Sequence, residues 1–160
     1  MEPSTSFALQ TTDGGADLQN ITLAGHEANL DVQYTVGLAT GVPVNFLSVG
    51  AYQQDHDLEG FLDTLNYVAY LADLPSVMTT SYNFDEEDLP RGLANKLCNT
   101  YAALGAMGVT VIFASGDNGV AGAYGDDECE EFVPSFPSTC PLYVPSFPSI
   151  PLTCGSHQFF

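Results

Sequence analysis

Two carboxylic acids that lie four residues apart, Glu27 and Asp31, have the types and the spacing that could do chemistry. If the stretch around them is helical, both side chains project from one face of consecutive turns. Like-charge repulsion in a partly buried cleft then favours a state in which one carboxyl is ionised and the other protonated. Such a pair can act as an acid–base dyad. The spacing alone favours the alternative, a solvated helix face.

A third carboxylic acid, Asp117, lies in a Ser-Gly-Asp-Asn-Gly segment at residues 115–119. This segment has good turn chemistry, which would by itself explain the aspartate. The glycines at 116, 119 and 122 could also indicate a phosphate-binding loop, but Asp117 and the acidic run at residues 126–131 would repel phosphate. The acidic run could bind calcium through its oxygen atoms, yet it lacks the EF-hand spacing, so a solvated loop is the favoured interpretation.

The charge of the chain is strongly unbalanced. Its 160 residues include 20 acidic and two basic residues, Arg91 and Lys96, so the formal net charge is −18 and the isoelectric point is about 4.1. This charge repels nucleic acids and anionic membranes and argues against both as partners. Protonation in an acidic medium would relieve the self-repulsion, which is consistent with an acidic extracellular environment. Ordinary solubility charge explains the composition equally well.

The cysteines, the histidines and one sequon limit the metal sites, disulfides and glycosylation that the sequence predicts. No C-x-x-C pair is present, so zinc-ribbon and thioredoxin-like sites are not predicted, and the histidines show no ligand spacing that would predict a metal site. Three disulfide pairings are open, including Cys129 with Cys140. Asn20-Ile21-Thr22 is the single N-glycosylation sequon and would be used only in a secreted chain. The four cysteines are Cys98, Cys129, Cys140 and Cys154.

Hydrophobic periodicity predicts alternating helices and strands. Helices are predicted at residues 22–39, 57–71 and 91–106, and strands at residues 42–49, 76–81 and 109–114. The first helix would carry apolar residues close to the helical period, and the second would be capped by Asp55 or Asp57. Residues 1–17 are predicted to be a loop. The apolar face of the first helix consists of Leu23, Leu30, Tyr34 and Leu38.

The alternation of these elements predicts an α/β fold with a parallel sheet and right-handed crossovers. The β-branched run at residues 109–114 is typical of a buried parallel strand. Sites in such sheets lie at the carboxyl ends of strands, and Asp117 follows this strand directly. No apolar run approaches the roughly 20 residues needed to span a membrane, so no membrane anchor is predicted.

Three stretches together resemble the sedolisin family of serine-carboxyl peptidases, in particular its fungal tripeptidyl-peptidase branch. They are Glu-Ala-Asn-Leu-Asp-Val-Gln-Tyr at 27–34, Pro-Ser-Val-Met-Thr-Thr-Ser-Tyr at 75–82 and Phe-Ala-Ser-Gly-Asp-Asn-Gly at 113–119. The resemblance runs from about residue 14 to 141. It implies a subtilisin-like parallel sheet with helices on both faces, here incomplete. Residues 1–141 would be the N-terminal portion of the peptidase domain, and residues 142–160 a divergent, proline-rich, irregular tail.

The resemblance also implies roles for the three acids. Glu27 would be the general base that takes the proton of a nucleophilic serine, Asp31 would orient Glu27, and a protonated Asp117 would stabilise the oxyanion. The family carries its serine in a downstream Ser-Gly-Thr-Ser type segment, and nothing in this chain matches it. We therefore expect the isolated chain to lack the nucleophile and to be inactive. We also expect it to lack the calcium site, which belongs to the full-length family member.

Other properties follow from the resemblance as expectations. The implied protein is a secreted, acid-acting monomer whose partners are peptide or protein substrates. The first residues have neither the basic start nor the apolar run of a signal peptide, so we expect an incomplete N-terminus. A non-catalytic, truncated homologue that binds peptides is the first alternative. The second is an incomplete gene product, which the repeated Val-Pro-Ser-Phe-Pro-Ser at 133–138 and 144–149 favours.

Overall fold

A computed structural model describes residues 6–52, 58, 60–117, 119–122 and 132–141 of the chain. The polypeptide divides into two compact units, Met1–Asp73 and Leu74–Phe160. The predicted helix caps Asp55 and Asp57, the acidic run at 126–131 and the tail at 142–160 lie outside the described residues. Among the described residues, no helix is both long and apolar enough to cross a lipid bilayer.

The first unit contains a pair of parallel strands. Strand β1 (Ala8–Thr12) pairs with β2 (Asn45–Val49). Next to β1, the ring of Phe7 packs edge-on against Phe46, with 5.6 Å between the ring centroids. The prediction of a loop over residues 1–17 is wrong here. A polar strand such as β1 is stabilised by hydrogen bonds to its neighbour, and composition does not reveal these bonds.

Two α-helices belong to the first unit, α1 (His26–Leu38) and α2 (Phe61–Ala69). Helix α1 lies within the predicted range and follows a short 3₁₀ turn, Ile21–Leu23. The predicted start of the second helix at residue 57 is wrong, because α2 begins at Phe61. Gly60 precedes this helix with a φ angle of 86°, a left-handed conformation that cannot continue a helix.

Helix α1 exposes the apolar residues that indicate its helical period. Leu30, Tyr34 and Leu38 are 50%, 65% and 83% exposed, whereas Val36 is only 5% exposed. Leu23, in the preceding turn, is also exposed, at 63%. The periodic Leu/Tyr face of this helix therefore does not contribute to the core. The buried Val36 has a compact side chain, whereas the three large apolar residues follow one another at intervals of four along the exposed side.

The second unit contains another pair of parallel strands. Strand β3 (Val77–Thr80) pairs with β5 (Thr110–Phe113), and between them lies α3 (Arg91–Ala106). The bounds of α3 equal the predicted ones, and both strands lie inside their predicted ranges. The parallel pairs of the two units, together with three helices, confirm the predicted α/β class.

Helix α3 packs against strand β5. The ring of Tyr101 meets Phe113 edge-on, with 4.8 Å between centroids, and Leu97 and Leu104 of α3 are almost completely buried. The other face of the strand is open, since Ile112 is 44% exposed, so the prediction of a fully buried strand is wrong. Both basic residues of the chain lie in the first two turns of α3, with exposed side chains.

A short antiparallel pair completes the second unit. Strand β4 (Phe84–Asp85) pairs with β6 (Ser135–Phe136), and Phe136 is 1% exposed. A disulfide joins Cys98 of α3 to Cys140 and so fastens the segment that carries β6. The sequence alone leaves three pairings open, and the structure contains the one that joins Cys98 to Cys140. A bond between Cys129 and Cys140 is excluded, because Cys140 is already bonded. Neither short strand was predicted, because two residues are too few to show a periodicity.

Candidate functional site

Asp117 lies just beyond the carboxyl end of β5. The strand ends at Phe113, and the backbone N–H of Ala114 still donates to the carbonyl oxygen of Thr80 at 3.2 Å. Gly116 then takes a φ angle of 88°, which turns the chain and leaves the Asp117 side chain exposed. The predicted position of this aspartate at a strand end is confirmed.

A cleft of about 180 Å³ opens beside Asp117. Its volume corresponds to roughly six water molecules at about 30 Å³ each, which is enough for one amino-acid side chain. One wall is apolar, and the hydroxyl groups of four residues surround the rest. The lining residues are Ser115, Gly116, Asp117, Gly119, Phe132, Val133, Pro134, Ser135, Ser138 and Thr139.

Two segments hold the cleft together through hydrogen bonds and a backbone bridge. The N–H of Val133 donates to the carbonyl oxygen of Val120 at 2.9 Å, and Ala121 forms a bridge with Val133. On the other side, the Ser138 hydroxyl donates to the carbonyl oxygen of Ala114 at 3.3 Å. The loop that follows β5 and the segment at 132–139 therefore meet at both ends of the cleft.

Two glycines allow this close approach. A Cβ on Gly116 would lie 3.0 Å from the Ser135 Oγ, and a Cβ on Gly122 would overlap the carboxyl group of Asp85. Both glycines also have positive φ angles, 88° and 79°, that side-chain-bearing residues rarely adopt. The backbone of the loop therefore requires glycine at these two positions, for both conformation and space.

Glu27 and Asp31 lie on consecutive turns at the start of α1, on one face of the helix, as their spacing predicts. Both side chains are half-buried, in contrast to the exposed Leu30 between them. Glu27 is in the first helical turn, where the positive end of the helix dipole favours a carboxylate. The acid pair therefore occupies the less exposed side of the helix, although its catalytic role stays a prediction.

The sequon asparagine and the histidines are the remaining residues that the sequence analysis considered. Asn20 is exposed, and its Oδ1 accepts hydrogen bonds from the Thr22 N–H at 3.1 Å and from the Thr22 hydroxyl at 2.9 Å. His26 is exposed, while His56 and His157 lie outside the described residues. Within the described ranges, no group of three or more His, Cys, Asp or Glu side chains could hold a metal ion.

Sequence reasoning missed Ser135 and Ser138, which line the cleft, and the buried Asp85, which lies against Gly122. Ser135 and Asp85 belong to strands of two residues, which have no detectable period. The one usable signal was the set of glycines at 116, 119 and 122, because glycines at close spacing mark places where backbone segments approach each other.

No family model matches the chain. Curated proteins with similar sequences are peptidases. The probable tripeptidyl-peptidase SED3 of Trichophyton verrucosum is 36% identical over 152 residues, covering 86% of this chain and 26% of the relative. Tripeptidyl-peptidase SED4 of Arthroderma otae is 36% identical over 153 residues, with the same coverage of both chains. Tripeptidyl-peptidase SED2 of Arthroderma otae is 35% identical over 160 residues, covering 88% and 27%.

The class of protein follows from the fold and these relatives: this is an α/β chain homologous to peptidases over most of its length. The relatives are tripeptidyl-peptidases of the sedolisin type, and the chain belongs to the sedolisin family, as its three motifs indicate. It spans about a quarter of the length of these relatives.

Proposed function

We propose that residues 1–141 form the N-terminal portion of the catalytic domain of an acid-acting serine-carboxyl peptidase that cleaves peptides or proteins. The observation that carries the proposal is the position of Asp117 at the mouth of the cleft beyond β5. The sedolisin-type relatives support it, because their names describe tripeptidyl-peptidases. Tripeptide release from a free N-terminus is accordingly the proposed mode of action, with endopeptidase action as the alternative.

In this mechanism, the hydroxyl of a serine attacks the carbonyl carbon of the scissile bond, and Glu27 takes the hydroxyl proton. The electron pair of the carbonyl moves to its oxygen, and the protonated carboxyl of Asp117 donates a hydrogen bond to that oxyanion. When the intermediate collapses, the C–N bond breaks and the proton held by Glu27 passes to the leaving amine. Asp31 holds Glu27 in position throughout.

The cleft beside Asp117 is proposed to hold the side chain on the acyl side of the scissile bond. Phe132, Val133 and Pro134 supply apolar contact, and the hydroxyls of Ser115 and Ser138 supply hydrogen bonds near its rim. Pockets of this composition bind one side chain and orient the adjoining backbone. A bound peptide would then have its carbonyl group next to Asp117.

The nucleophilic serine is proposed to lie outside these 160 residues, as is the calcium site of the family. Secretion is proposed on the basis of the family and the acidic composition. The exposed Asn20 would then carry an N-linked glycan. The protein is further proposed to act as a monomer, without nucleic-acid or membrane partners, because its charge of −18 repels polyanions and other copies of itself.

A second candidate function is peptide binding without catalysis. It is favoured by the same cleft, because every lining residue belongs to this chain and no serine of the family motif is needed to form it. An incomplete gene product is the third possibility, which the repeated hexapeptide supports. A read of the native transcript beyond the codon for Phe160 separates the peptidase from the other two possibilities, since only the peptidase requires a downstream Ser-Gly-Thr-Ser segment.

Peptide binding by the chain itself tests the role of the cleft. We would titrate the ¹⁵N-labelled chain with an unmodified tripeptide, the expected reaction product, in a mildly acidic buffer. Saturable shifts of the Ser115, Gly116 and Gly119 amide signals are expected, and the Asp117→Ala variant is expected to weaken them. Asp88→Ala, an exposed acid in another part of the same unit, is the matched control. Shifts confined to other residues would refute the proposed site.

Hydrolysis tests the placement of the nucleophile. The isolated chain and its Glu27→Ala, Asp31→Ala double variant are expected to leave a peptide amide equally intact at acid pH. Clear hydrolysis by the wild-type chain that the double variant lacks would support the roles of the two acids. It would also show that a serine within these residues is the nucleophile, contrary to the proposal.

A further inference from the structure

Two polar residues are buried side by side beneath the cleft. Asp85 in β4 and Ser135 in β6 are paired partners across the antiparallel strands, and each is 8% exposed. The other residues of comparable burial in the described part of the chain are apolar, apart from glycine and proline backbone positions. Burial of a carboxyl group costs free energy unless the group makes specific contacts, so these contacts indicate what Asp85 does.

The contacts of this pair lead to the loop that carries Asp117. The carboxyl group of Asp85 lies directly against Gly122, and the Ser135 Oγ lies against Gly116. Gly116 and Gly122 are themselves neighbours, because a Cβ on the first would be 3.5 Å from the carbonyl oxygen of the second. Gly116, at one end of the loop, therefore contacts β6, and Gly122, at the other end, contacts β4.

Backbone hydrogen bonds tie the same parts together. The N–H of Glu86, next to Asp85, donates to the carbonyl oxygen of Pro134 at 2.9 Å. The N–H of Val133 donates to the carbonyl oxygen of Val120 at the same distance, on the loop side. Contacts therefore run without a break from strand β4 through the segment before β6 to the loop. Asp85 contributes a buried polar side chain to these contacts.

We propose that Asp85 is a positioning residue, whose buried carboxyl group supports Gly122 and thereby keeps Asp117 at the rim of the cleft. This inference rests on the proposed function for the role of Asp117. Without the carboxyl group, the loop at 119–122 loses its contact with β4, and Gly116 loses the support of Gly122. The consequence for catalysis can be large, because misplacement of a catalytic group by about 1 Å can reduce the rate about a hundredfold.

The first test measures the loop without any ligand, by hydrogen exchange in wild type and in Asp85→Ala. The amide of Val133 reports the contact between the segment at 132–139 and the loop, because it donates to the carbonyl oxygen of Val120. We expect it to exchange at least about tenfold faster in the variant, because the loop opens locally more often. The amide of Gly50, bonded to the Thr12 carbonyl oxygen in the first unit, is the internal reference and is expected to be unchanged.

The second test measures tripeptide affinity far below the melting temperature, where wild type and variants are folded. Asp85→Ala is expected to lower the affinity about tenfold, while Asp88→Ala, with an exposed side chain, leaves it unchanged. Asp85→Asn keeps the shape and one acceptor oxygen and is expected to recover most of the affinity. A purely structural role would lower the melting temperature and leave the affinity of the folded protein as it is.

The outcomes separate this inference from the proposed function. If the wild type does not bind the tripeptide, the function proposed for the cleft fails, and the exchange of Val133 still decides the role of Asp85. If Asp85→Ala does not fold, Asp85→Asn is measured in both tests, with a smaller effect expected in the same direction. Unchanged exchange of Val133, or unchanged affinity of a folded variant for a tripeptide that the wild type binds, would overturn the inference.

Discussion

Cys98 on helix α3 is covalently joined to Cys140, and the two Cα atoms are 5.5 Å apart. The residues are separated by 42 positions, and the loop between them contains β5, Asp117 and both segments that line the cleft. A cross-link of this length restricts the unfolded chain, and its effect on stability grows with loop length. The disulfide therefore stabilises the part of the chain that holds the candidate site.

Replacement of both cysteines, Cys98→Ala with Cys140→Ala, is expected to lower the free energy of unfolding of the second unit by roughly 4 kcal/mol, from loop-closure entropy. Urea unfolding followed by circular dichroism measures the change. Each single variant is expected to lose as much as the double variant, because either one removes the bond. Additive losses from the two single variants would contradict a shared disulfide.

The pairing itself can be read by peptide mapping without reduction. Trypsin is unsuitable, because Arg91 and Lys96 are its only cleavage sites and all four cysteines follow them. Pepsin digestion at low pH is expected to release a linked peptide pair that contains Cys98 and Cys140. A pair that contains Cys129 and Cys140 would show that the bond is wrongly assigned.

Two apolar residues of α1 provide a matched test of its orientation. Val36→Ala removes about two methyl groups from a site that is 5% exposed and is expected to cost roughly 1.5 kcal/mol of stability. Leu38→Ala, two residues away at 83% exposure, is expected to change stability by less than about 0.5 kcal/mol. A larger loss from Leu38→Ala would mean that the Leu/Tyr face is the packed one after all.

The same helix shows how far a sequence can be interpreted. Helices α1 and α3 and the parallel strands β2, β3 and β5 could be predicted, because each has a period or a β-branched run that depends on nearby residues only. The direction that α1 faces could not, because it depends on residues distant in sequence. Strand β1 was missed for a related reason, since its polar residues are stabilised by hydrogen bonds to β2.

Gly122→Ala is expected to destabilise the second unit strongly, because the new Cβ would overlap the Asp85 carboxyl group. Gly41→Ala is the control, since Gly41 has a similar φ angle, 83° against 79°, but no atom within 4 Å of the added carbon. We expect a loss of about 1 kcal/mol for the control, from conformation alone, and a clearly larger loss for Gly122. Equal losses would argue against the close approach of Asp85.

The net charge of −18 predicts how stability depends on pH and salt. Repulsion between carboxylates is strongest in the folded chain, where they are closest together, so it lowers stability at pH 7. A lower pH reduces the charge of the chain and with it this destabilisation. We expect the melting temperature at pH 7 to rise in about 1 M NaCl, where the Debye length is about 3 Å.

The measurement is a set of thermal unfolding curves at both pH values, with and without salt. At about pH 5, where fewer carboxylates are ionised, the increase caused by salt is expected to be smaller. Melting temperatures that do not respond to salt at pH 7 would show that the acidic side chains are too far apart to destabilise the fold.

The candidate site was predictable in part. Asp117 could be located from the sequence, because it follows a recognisable strand and sites lie at strand ends. The pair Glu27 and Asp31 could be placed on one helix face from its spacing. The strand pair beside the cleft could not be predicted, because Asp85 and Ser135, which are 50 positions apart in the chain, meet in a pairing of only two residues per strand.

The location of both basic residues in the first two turns of α3 makes this helix a selective reporter of local opening. A protease that cuts only after lysine or arginine needs an extended backbone, which α3 provides only when its first turns unwind. The rate of tryptic cleavage thus measures the opening of one helix in an otherwise uncleavable chain. Variants at the cleft and at the disulfide can be compared by this rate without any label.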